Sequence, residues 1–295
     1  MGTDLGYAMR RWYDANARDL PWRRPGTSPW AVLVSEVMLQ QTPVVRVLPA
    51  WYEWLDRWPT PDALAAATPA DAIRAWGRLG YPRRALRLHE CATAITDRHA
   101  GEVPPDVDDL LVLPGIGTYT ARAVAVFAFG QRHPVVDTNV RRVVARAVGG
   151  EPDAGPSTTA ADLVAVEALL PADRARAART SIALMELGAL VCTARQPHCS
   201  DCPLWSRCAW RRAGAPPATG PTRRTQKYAG TDRQVRGILL GALRDATAAV
   251  PRATLDLLWH DPVQRDRALV SLLDDGLVDE VARGKYALAG LDAAR

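Results

Sequence analysis

The segment Leu113-Pro-Gly-Ile-Gly-Thr-Tyr-Thr-Ala121 constrains the fold of this chain more than any other feature. It is rich in glycine, and apolar sequence with helical spacing flanks it on both sides. We therefore predict a helix-hairpin-helix over about residues 107–130, in which Gly115 and Gly117 adopt positive φ angles and permit close approach of another backbone. The second helix would direct its first N–H groups outward, where they can receive a phosphate oxygen. Such a hairpin holds DNA without reading its sequence, so Gly115, Gly117 and Thr118 are candidate DNA contacts.

Helical periodicity dominates residues 1–212, and strand-like alternation is scarce before residue 275. The pattern predicts an all-α body that includes helices over residues 12–17, 29–41 and 139–148. Proline and glycine then cluster over residues 213–230, which indicates a linker. Three further helical patterns, with Gly276 placed to end the third, and a hairpin around Arg283-Gly284 predict a small winged-helix-like module over residues 231–295.

Basic residues are unevenly distributed along the chain, which has a net charge of +5. The excess lies within residues 1–230, and no acidic residue occurs between Cys202 and Thr231. A basic face indicates a nucleic-acid partner, although an arginine- and alanine-rich composition alone would produce the same excess. We find neither a signal-peptide pattern nor an apolar run long enough to cross a bilayer, and we therefore expect a cytoplasmic protein.

Four of the five cysteines lie together in the pattern Cys192-x6-Cys199-x2-Cys202-x5-Cys208. Thiolates this close in sequence can hold a [4Fe–4S] cluster or a structural zinc ion, and a reducing compartment disfavours disulfides. Zinc sites commonly pair two Cys-x2-Cys units, whereas this segment has one, so the spacing favours the cluster over zinc. We interpret it as a structural staple that fixes a basic loop against DNA, and Cys91 as a buried structural thiol.

Two acidic residues, Glu36 and Asp137, are candidates for catalysis. Apolar residues surround Glu36 in nearly every helical direction, and desolvation there would raise its pKa and keep it protonated. Asp137 begins a predicted helix, whose N-terminus favours the ionised carboxylate. The alternatives are a buried Glu36 capped by neighbouring polar groups and a plain N-cap role for Asp137. One proton donor and one charged carboxylate together are typical of glycosidic bond cleavage through an oxocarbenium-like state.

Residues 8–212 resemble the MutY adenine glycosylases, a branch of the helix-hairpin-helix DNA glycosylases that carry an iron–sulfur loop. The string Ser35–Thr42 is highly specific for this family, whereas the hairpin alone is not. The strings that carry the resemblance are Leu20-Pro-Trp-Arg23, Ser35-Glu-Val-Met-Leu-Gln-Gln-Thr42, Gly80-Tyr81, Leu113-Pro-Gly-Ile-Gly117, Val136-Asp-Thr-Asn139, Met185-Glu-Leu-Gly188 and the cysteine loop 192–208.

The resemblance implies that residues 1–212 form a helix-hairpin-helix glycosylase domain with a [4Fe–4S] cluster on the four clustered cysteines. It implies base-excision repair, in which the enzyme flips adenine out of duplex DNA and hydrolyses its N-glycosidic bond when the base is mispaired with 8-oxoguanine or guanine. The protein would act as a monomer on double-stranded DNA near the nucleoid.

The family resemblance also implies roles for particular residues. Glu36 matches the acid that protonates adenine N7, and Asp137 matches the carboxylate that stabilises the C1′ cation. Asn139 would position Asp137 or water, and Tyr119 stands where some members have a transition-state tyrosine. Trp22 and Arg23 match residues of the adenine pocket. Gln41 and Tyr81 match residues that wedge into the base stack.

Tyr119 separates this chain from the endonuclease III branch, in which a lysine at this position forms a Schiff base and nicks the strand. The only lysines here are Lys227 and Lys285, so the resemblance implies a monofunctional glycosylase. The chain departs from the pattern at Ile182, where a polar residue often contacts adenine, and at Pro82, where a second tyrosine is common. It also has a winged-helix-like module in place of the Nudix-like domain that reads 8-oxoguanine in larger members.

Two other functions remain as alternatives. One is an endonuclease III-like glycosylase for oxidised pyrimidines or mismatched thymine, which has the same fold. The other is a non-catalytic DNA-binding regulator with a four-cysteine zinc site and a winged helix.

Overall fold

The computed structural model describes residues 2–218 and 228–291, apart from the side chains of residues 2 and 3. This part of the chain is mainly helical, as predicted. The α-helices are α1 (Gly2–Asn16), α2 (Pro29–Met38), α3 (Val44–Arg57), α4 (Pro61–Ala65), α5 (Pro69–Trp76), α6 (Arg83–His99), α7 (Val107–Leu111), α8 (Thr118–Phe127), α9 (Thr138–Val144), α10 (Ala160–Glu167), α11 (Arg174–Leu190), α12 (Ala209–Arg212), α13 (Asp232–Asp245), α14 (Arg252–Asp256) and α15 (Pro262–Asp274). Short 3-10 helices occupy Pro21–Arg23 and Cys199–Asp201, and a π-helix follows α9 over Ala145–Gly149.

Contacts divide the chain into two compact units. Unit 1 contains Met1–Leu33, Pro105–Val112 and Ile116–Pro221, and unit 2 contains Val34–Pro104, Leu113–Gly115 and Thr222–Arg295. Both units therefore combine segments that are distant in sequence. The predicted boundaries at residues 212 and 231 stay predictions, and residues 219–227 of the proposed linker lie outside the described residues.

The core of unit 1 forms where α1, α9 and α11 pack together. Met9, Val140 and Leu187 are completely buried there. Leu204 and Cys208 belong to the same cluster, so the cysteine loop is part of this core. Burial of its apolar residues anchors the loop against α9 and α11.

The C-terminal module belongs to unit 2, where it packs against α5. Ala70 and Ile73 of α5 share one hydrophobic cluster with Val235, Leu239 and Leu272 of the module, and all five residues are fully or almost fully buried. An antiparallel sheet in the order β1-β3-β2 completes the module. Its strands are β1 (Val250–Pro251), β2 (Val278–Ala282) and β3 (Lys285–Leu288).

Several predicted elements differ from the structure at their ends. The first helix begins at Gly2, ten residues earlier than predicted, and the short helix α4 is missed by the sequence pattern. The predicted hairpin is confirmed as β2 and β3, and Gly276 ends α15 with φ 65°. Among the described residues, no helix has the length and apolar character needed to cross a membrane.

Candidate active site and cysteine loop

The hairpin between α7 and α8 contains two glycines with different roles. Gly115 has φ +75°, and a Cβ there would lie 2.6 Å from the Cβ of Arg87, so the predicted need for glycine is confirmed. Gly117 has φ −97°, and the prediction of a positive angle is wrong because this residue is the extended N-cap of α8. A Cβ at Gly117 would meet nothing within 4 Å. The exposed residues Gly117 and Thr118 thus leave the start of α8 open to a ligand.

Asp137 is the N-cap of α9, as its sequence position indicated. Its Oδ1 accepts a hydrogen bond of 2.7 Å from the Val140 backbone N–H, and its Oδ2 accepts one of 3.0 Å from Asn139 Nδ2. Both carboxylate oxygens are therefore oriented. Asn139 contacts Asp137 directly, which is the geometry that a positioning role requires.

Burial has a larger influence on the Asp137 carboxyl than its position at the helix N-terminus. Burial raises the pKa of this carboxyl above its ordinary value. The hydrogen bonds from Val140 and Asn139 and the charge of Arg142 oppose that shift without cancelling it. The helix N-terminus favours the ionised carboxylate, as the sequence indicated, but desolvation by the surrounding protein is the larger effect.

A chain of hydrogen bonds connects Asp137 to the backbone of the cysteine loop. Asn139 Oδ1 accepts a bond of 2.8 Å from Arg142 Nη2. The same guanidinium donates to the carbonyl of Gly188 at 2.8 Å and to that of Cys192 at 2.7 Å. Arg142 thus fixes Asn139, the amide partner of the Asp137 carboxylate, relative to Cys192. Sequence reasoning missed Arg142, whose one signal is a charged residue within the apolar helix that Asp137 begins.

Gly188 allows α11 to approach α9 closely. A Cβ on Gly188 would lie 2.8 Å from both the Cβ and the carbonyl oxygen of Asn139, which is too short for any real contact. Glycine is therefore required here by space. The Met185–Gly188 string thus has a structural cause, namely the contact of its glycine with the residue beside Asp137.

Glu186 in the same string forms a buried ion-pair network. Its side chain is fully buried and accepts from Arg18 Nη2 at 2.7 Å and from Arg23 Nη1 at 2.8 Å. Burial alone would raise the pKa of Glu186, but the two arginines hold it at about 2. Arg23 follows the buried Trp22, so the network orients the segment predicted to line the adenine pocket. Sequence reasoning missed both Arg18 and Glu186.

Glu36 lies on α2 and is only 6% exposed. Its neighbours Val34, Ser35, Val37 and Met38 are also buried, so the predicted apolar surroundings are confirmed. Glu36 belongs to unit 2, whereas Asp137 belongs to unit 1.

The two residues predicted to wedge into the base stack share an unusual backbone conformation. Gln41 has φ 54° and Tyr81 has φ 49°, and both side chains are exposed. Non-glycine residues rarely adopt this left-handed region, and such strained positions cluster at functional sites. Pro82, which follows Tyr81 and precedes α6, disfavours the right-handed helical conformation at Tyr81.

Arg84 ties the two strained loops together within unit 2. Its Nη1 donates to the carbonyls of Val37, Met38 and Gln40 at 2.8, 2.9 and 2.6 Å, respectively. Its Nη2 donates to Thr42 Oγ1 at 2.9 Å and to the Gly80 carbonyl at 3.0 Å. Burial lowers the pKa of this guanidinium to about 10. Arg84 was not predicted, because its partners are scattered along the sequence.

The four clustered cysteines line one pocket, and none of them forms a disulfide. Arg146 closes one side, with its Nη1 3.5 Å from Cys192 Sγ and 2.8 Å from the carbonyl oxygen of Thr193. Arg211 also lines the pocket and lies over the ring of Trp205, 4.0 Å from the ring centroid. Burial raises the pKa of the Cys202 thiol to about 11.

The surroundings of these thiols fit an anionic iron–sulfur cluster. A cluster with four thiolates carries net negative charge, and the guanidinium groups of Arg146 and Arg211 lie where they would offset it. Across residues 2–218 and 228–291, no three His, Cys, Asp or Glu side chains form a group that could hold a single metal ion. Cys91 is buried elsewhere, and burial raises its pKa to about 12, as for an unreactive structural thiol.

Three other residues from the sequence analysis have definite positions. Tyr119 is partly buried at the start of α8 and packs against the small cluster of Ala123, Val126 and Val135. Ile182 packs against the core of unit 1. Lys285 is exposed on β3, and Lys227 lies outside the described residues.

Comparison with known proteins identifies relatives of this chain. Residues 34–167 match the family described as HhH-GPD superfamily base excision DNA repair protein. The chain is 64% identical over 280 residues to an adenine DNA glycosylase of Mycolicibacterium smegmatis, a match that covers 95% of this chain and 94% of that protein. An adenine DNA glycosylase of Mycobacterium tuberculosis is 62% identical, with 95% of this chain and 91% of the relative covered. A solved thermostable thymine-DNA glycosylase has a TM-score of 0.65 and 25% identity, over 72% of this chain and 97% of the other.

Proposed function

Because this chain belongs to the HhH-GPD superfamily of base excision DNA repair proteins, and within it to the adenine DNA glycosylases, we propose that it removes adenine mispaired with 8-oxoguanine or guanine. The reaction is hydrolysis of the N-glycosidic bond after the nucleotide is flipped out of the duplex. The observation that carries the proposal is the oriented Asp137 carboxylate, held by Val140 and Asn139 at the N-terminus of α9.

Asp137 stabilises the positive charge that develops on the deoxyribose as the base departs. Cleavage of a glycosidic bond passes through an oxocarbenium-like state, which a nearby carboxylate lowers in energy. Asn139 donates a hydrogen bond to one oxygen of the Asp137 carboxylate and so fixes its orientation. The carboxylate therefore needs little reorientation during the reaction. Tyr119 is proposed to assist at the same step.

Glu36 supplies the proton that turns adenine into a leaving group. Protonation at N7 withdraws electrons from the glycosidic bond, and the bonding pair then leaves with the base. Glu36 is buried on α2 beside Val34, Val37 and Met38, the apolar surroundings that the sequence predicted for this acid. Trp22 and Arg23 are proposed to line the adenine pocket. The ion pair with Glu186 fixes the position of Arg23.

Gln41 and Tyr81 are proposed to fill the space that the extruded nucleotide leaves in the base stack. Extrusion costs a few kcal/mol, and inserted side chains offset part of it. Their exposure and fixed left-handed backbones support this role, since neither residue must rearrange its backbone on binding. The Gly115–Thr118 turn is proposed to receive a DNA phosphate.

The four clustered cysteines are proposed to hold a [4Fe–4S] cluster. When bound, the cluster would cross-link the loop and present its basic residues to DNA. Equal amounts of iron and sulfide, about four of each per chain for one such cluster, are expected in purified protein. Stoichiometric zinc without sulfide would contradict the assignment.

A substrate panel tests the proposed reaction. Duplexes carrying 8-oxoguanine:A, G:A, G:T or thymine glycol are incubated with excess enzyme, and the released base is measured. We expect adenine release from the first two duplexes only. Release of thymine glycol or thymine without adenine would refute the proposal and favour the pyrimidine-specific alternative.

The same reactions test whether the enzyme is monofunctional. We expect an intact strand until alkali is added, and no covalent complex trapped by borohydride, because Tyr119 replaces the lysine that would form a Schiff base. Efficient borohydride trapping would contradict this part of the proposal.

A further inference from the structure

The C-terminal module is fixed to α5 and α6 by polar contacts as well as by the shared hydrophobic cluster. Asp275 of the module forms ion pairs with Arg83 of α6, at 3.2 Å, and with Arg236 of α13, at 2.5 Å. Arg74 of α5 donates to the carbonyl of Ala246 at 3.2 Å. These contacts define where the start of α13 lies relative to the loop before α6.

This docking brings Arg233 of α13 to Tyr81. The guanidinium carbon of Arg233 lies 5.3 Å from the centroid of the Tyr81 ring, and that of Arg84 lies 5.6 Å from it. Both distances are within the range of a cation–π interaction. Tyr81 keeps 45% of its surface exposed, so two cations hold an aromatic ring that remains open to a ligand.

Arg233 itself is exposed on α13. Within the described part of the chain it forms no ion pair. The adjacent Asp232 is occupied, since it accepts from Arg267 at 2.6 Å and from Gln264 at 3.0 Å. An aromatic ring with guanidinium groups beside it is a stacking platform for a nucleic acid base.

We propose that Arg233 is a positioning residue for Tyr81, through which the C-terminal module contributes to base extrusion. An exposed tyrosine samples several rotamers, and a cation held against its ring selects among them. The strained backbone at Tyr81 fixes the start of the side chain, and Arg233 fixes its ring. The inference rests on the proposed function, because it takes Tyr81 to insert into DNA.

The test compares Arg233→Gln with Arg233→Lys and with Arg283→Gln as a matched control. Arg283→Gln removes the same positive charge as Arg233→Gln. Arg283 also lies in the same module, in the exposed β2–β3 turn. Extrusion is followed by the fluorescence of 2-aminopurine placed beside the mispaired adenine, and adenine release is followed under single-turnover conditions. Iron content and thermal stability are measured for every variant.

We expect Arg233→Gln to lower extrusion and adenine release about two- to fivefold, the change that an exposed cation–π contact supports. Arg233→Lys should retain most of the wild-type value, and Arg283→Gln should match wild type. In a Tyr81→Leu background, Arg233→Gln should have no further effect, because the ring that it positions is gone.

Two results would overturn the inference. One is equal behaviour of Arg233→Gln and wild type, and the other is the same loss with and without Tyr81, which would make Arg233 a phosphate contact. The proposed function fails separately, if the wild-type protein releases no adenine from either mispair.

Discussion

Arg142 in α9 is buried and Arg84 in α6 is half-buried, and the guanidinium groups of both bind backbone carbonyls, yet they organise different kinds of site. Arg142 spans from the Cys192 and Gly188 carbonyls to the side chain of Asn139, the amide partner of Asp137. Arg84 binds the carbonyls of the two loops that carry exposed residues in left-handed conformations. One arginine therefore orients a carboxylate, and the other fixes the path of the chain.

The difference teaches where each arginine's effect should be measured. Burial lowers the pKa of both guanidinium groups. A buried positive charge is stable only when its N–H groups form good hydrogen bonds. Disturbing Arg142 should change the chemistry at Asp137 and the cysteine loop. Disturbing Arg84 should change how the protein engages DNA and leave the cysteine loop intact.

Among changes around the two arginines, the largest expected effect separates Arg142→Ala from Arg84→Ala. Loss of Arg142 leaves three acceptors without their donor, and we expect adenine release to fall about 100-fold, as for a misplaced reactive group, with loss of bound iron. Arg84→Ala should keep its iron and lose base extrusion. Single-turnover kinetics, iron analysis and 2-aminopurine fluorescence measure the three quantities. If Arg84→Ala lost its iron and Arg142→Ala kept it, the different roles of the two arginines would be contradicted.

A second prediction tests the close approach of α11 to Asn139. Gly188→Ala places a Cβ 2.8 Å from the Asn139 carbonyl oxygen, so α11 must shift away. We expect a loss of about 1–3 kcal/mol in unfolding free energy and slower adenine release. Gly149→Ala is the control, since a Cβ there meets nothing within 4 Å. Urea unfolding of both variants decides it, and equal stabilities would show that Gly188 is not needed for packing.

A third prediction concerns pH. Asp137 is proposed to act as an anion, and burial raises its pKa, so the rate should fall on acidification at a higher pH than for an ordinary aspartate. Removing the positive charge in Arg142→Gln raises this pKa further and moves the acid limb to higher pH. Arg84→Gln should leave the limb in place. Single-turnover rates across pH test this, and an unchanged limb in Arg142→Gln would contradict the link to Asp137.

The smallest expected effect sharpens the role of Arg84. Thr42→Val removes the hydroxyl that accepts from Arg84 Nη2 at 2.9 Å, whereas Thr42→Ser keeps it. The hydroxyl also lies within donor distance of the Gln40 and Leu79 carbonyls, at 3.3 and 3.4 Å. Each hydrogen bond lost with it predicts a decrease of about 0.5–1.5 kcal/mol in unfolding free energy, with iron content unchanged. Chemical denaturation measures it. A valine variant as stable as wild type, with a loss only in the serine variant, would instead assign the contribution of Thr42 to its methyl group.

The sequence was sufficient to predict residues whose role depends on local pattern. Asp137 was recognisable as the start of a helix, Glu36 as a solitary acid in an apolar run, and Gly115 as a glycine in a tight turn. Each of these signals lies within a few residues of the side chain concerned, so no tertiary structure is needed to interpret it.

The remaining features depend on contacts between distant segments. Arg142 binds carbonyls 46 and 50 residues away, and Arg84 binds one 44 residues away. The rise in the pKa of Asp137 likewise has no local sequence signal, because the burial that causes it comes from tertiary packing. The left-handed conformations of Gln41 and Tyr81 likewise have no signature in residue type.

Adenine release by Asp137→Asn and Glu36→Gln, at matched iron content, tests the central claim most directly. We expect both variants to bind an 8-oxoguanine:A duplex with wild-type affinity and to release adenine about a thousandfold more slowly, as for loss of a catalytic acid or base group. Release at the wild-type rate by either variant would contradict the two-carboxylate mechanism.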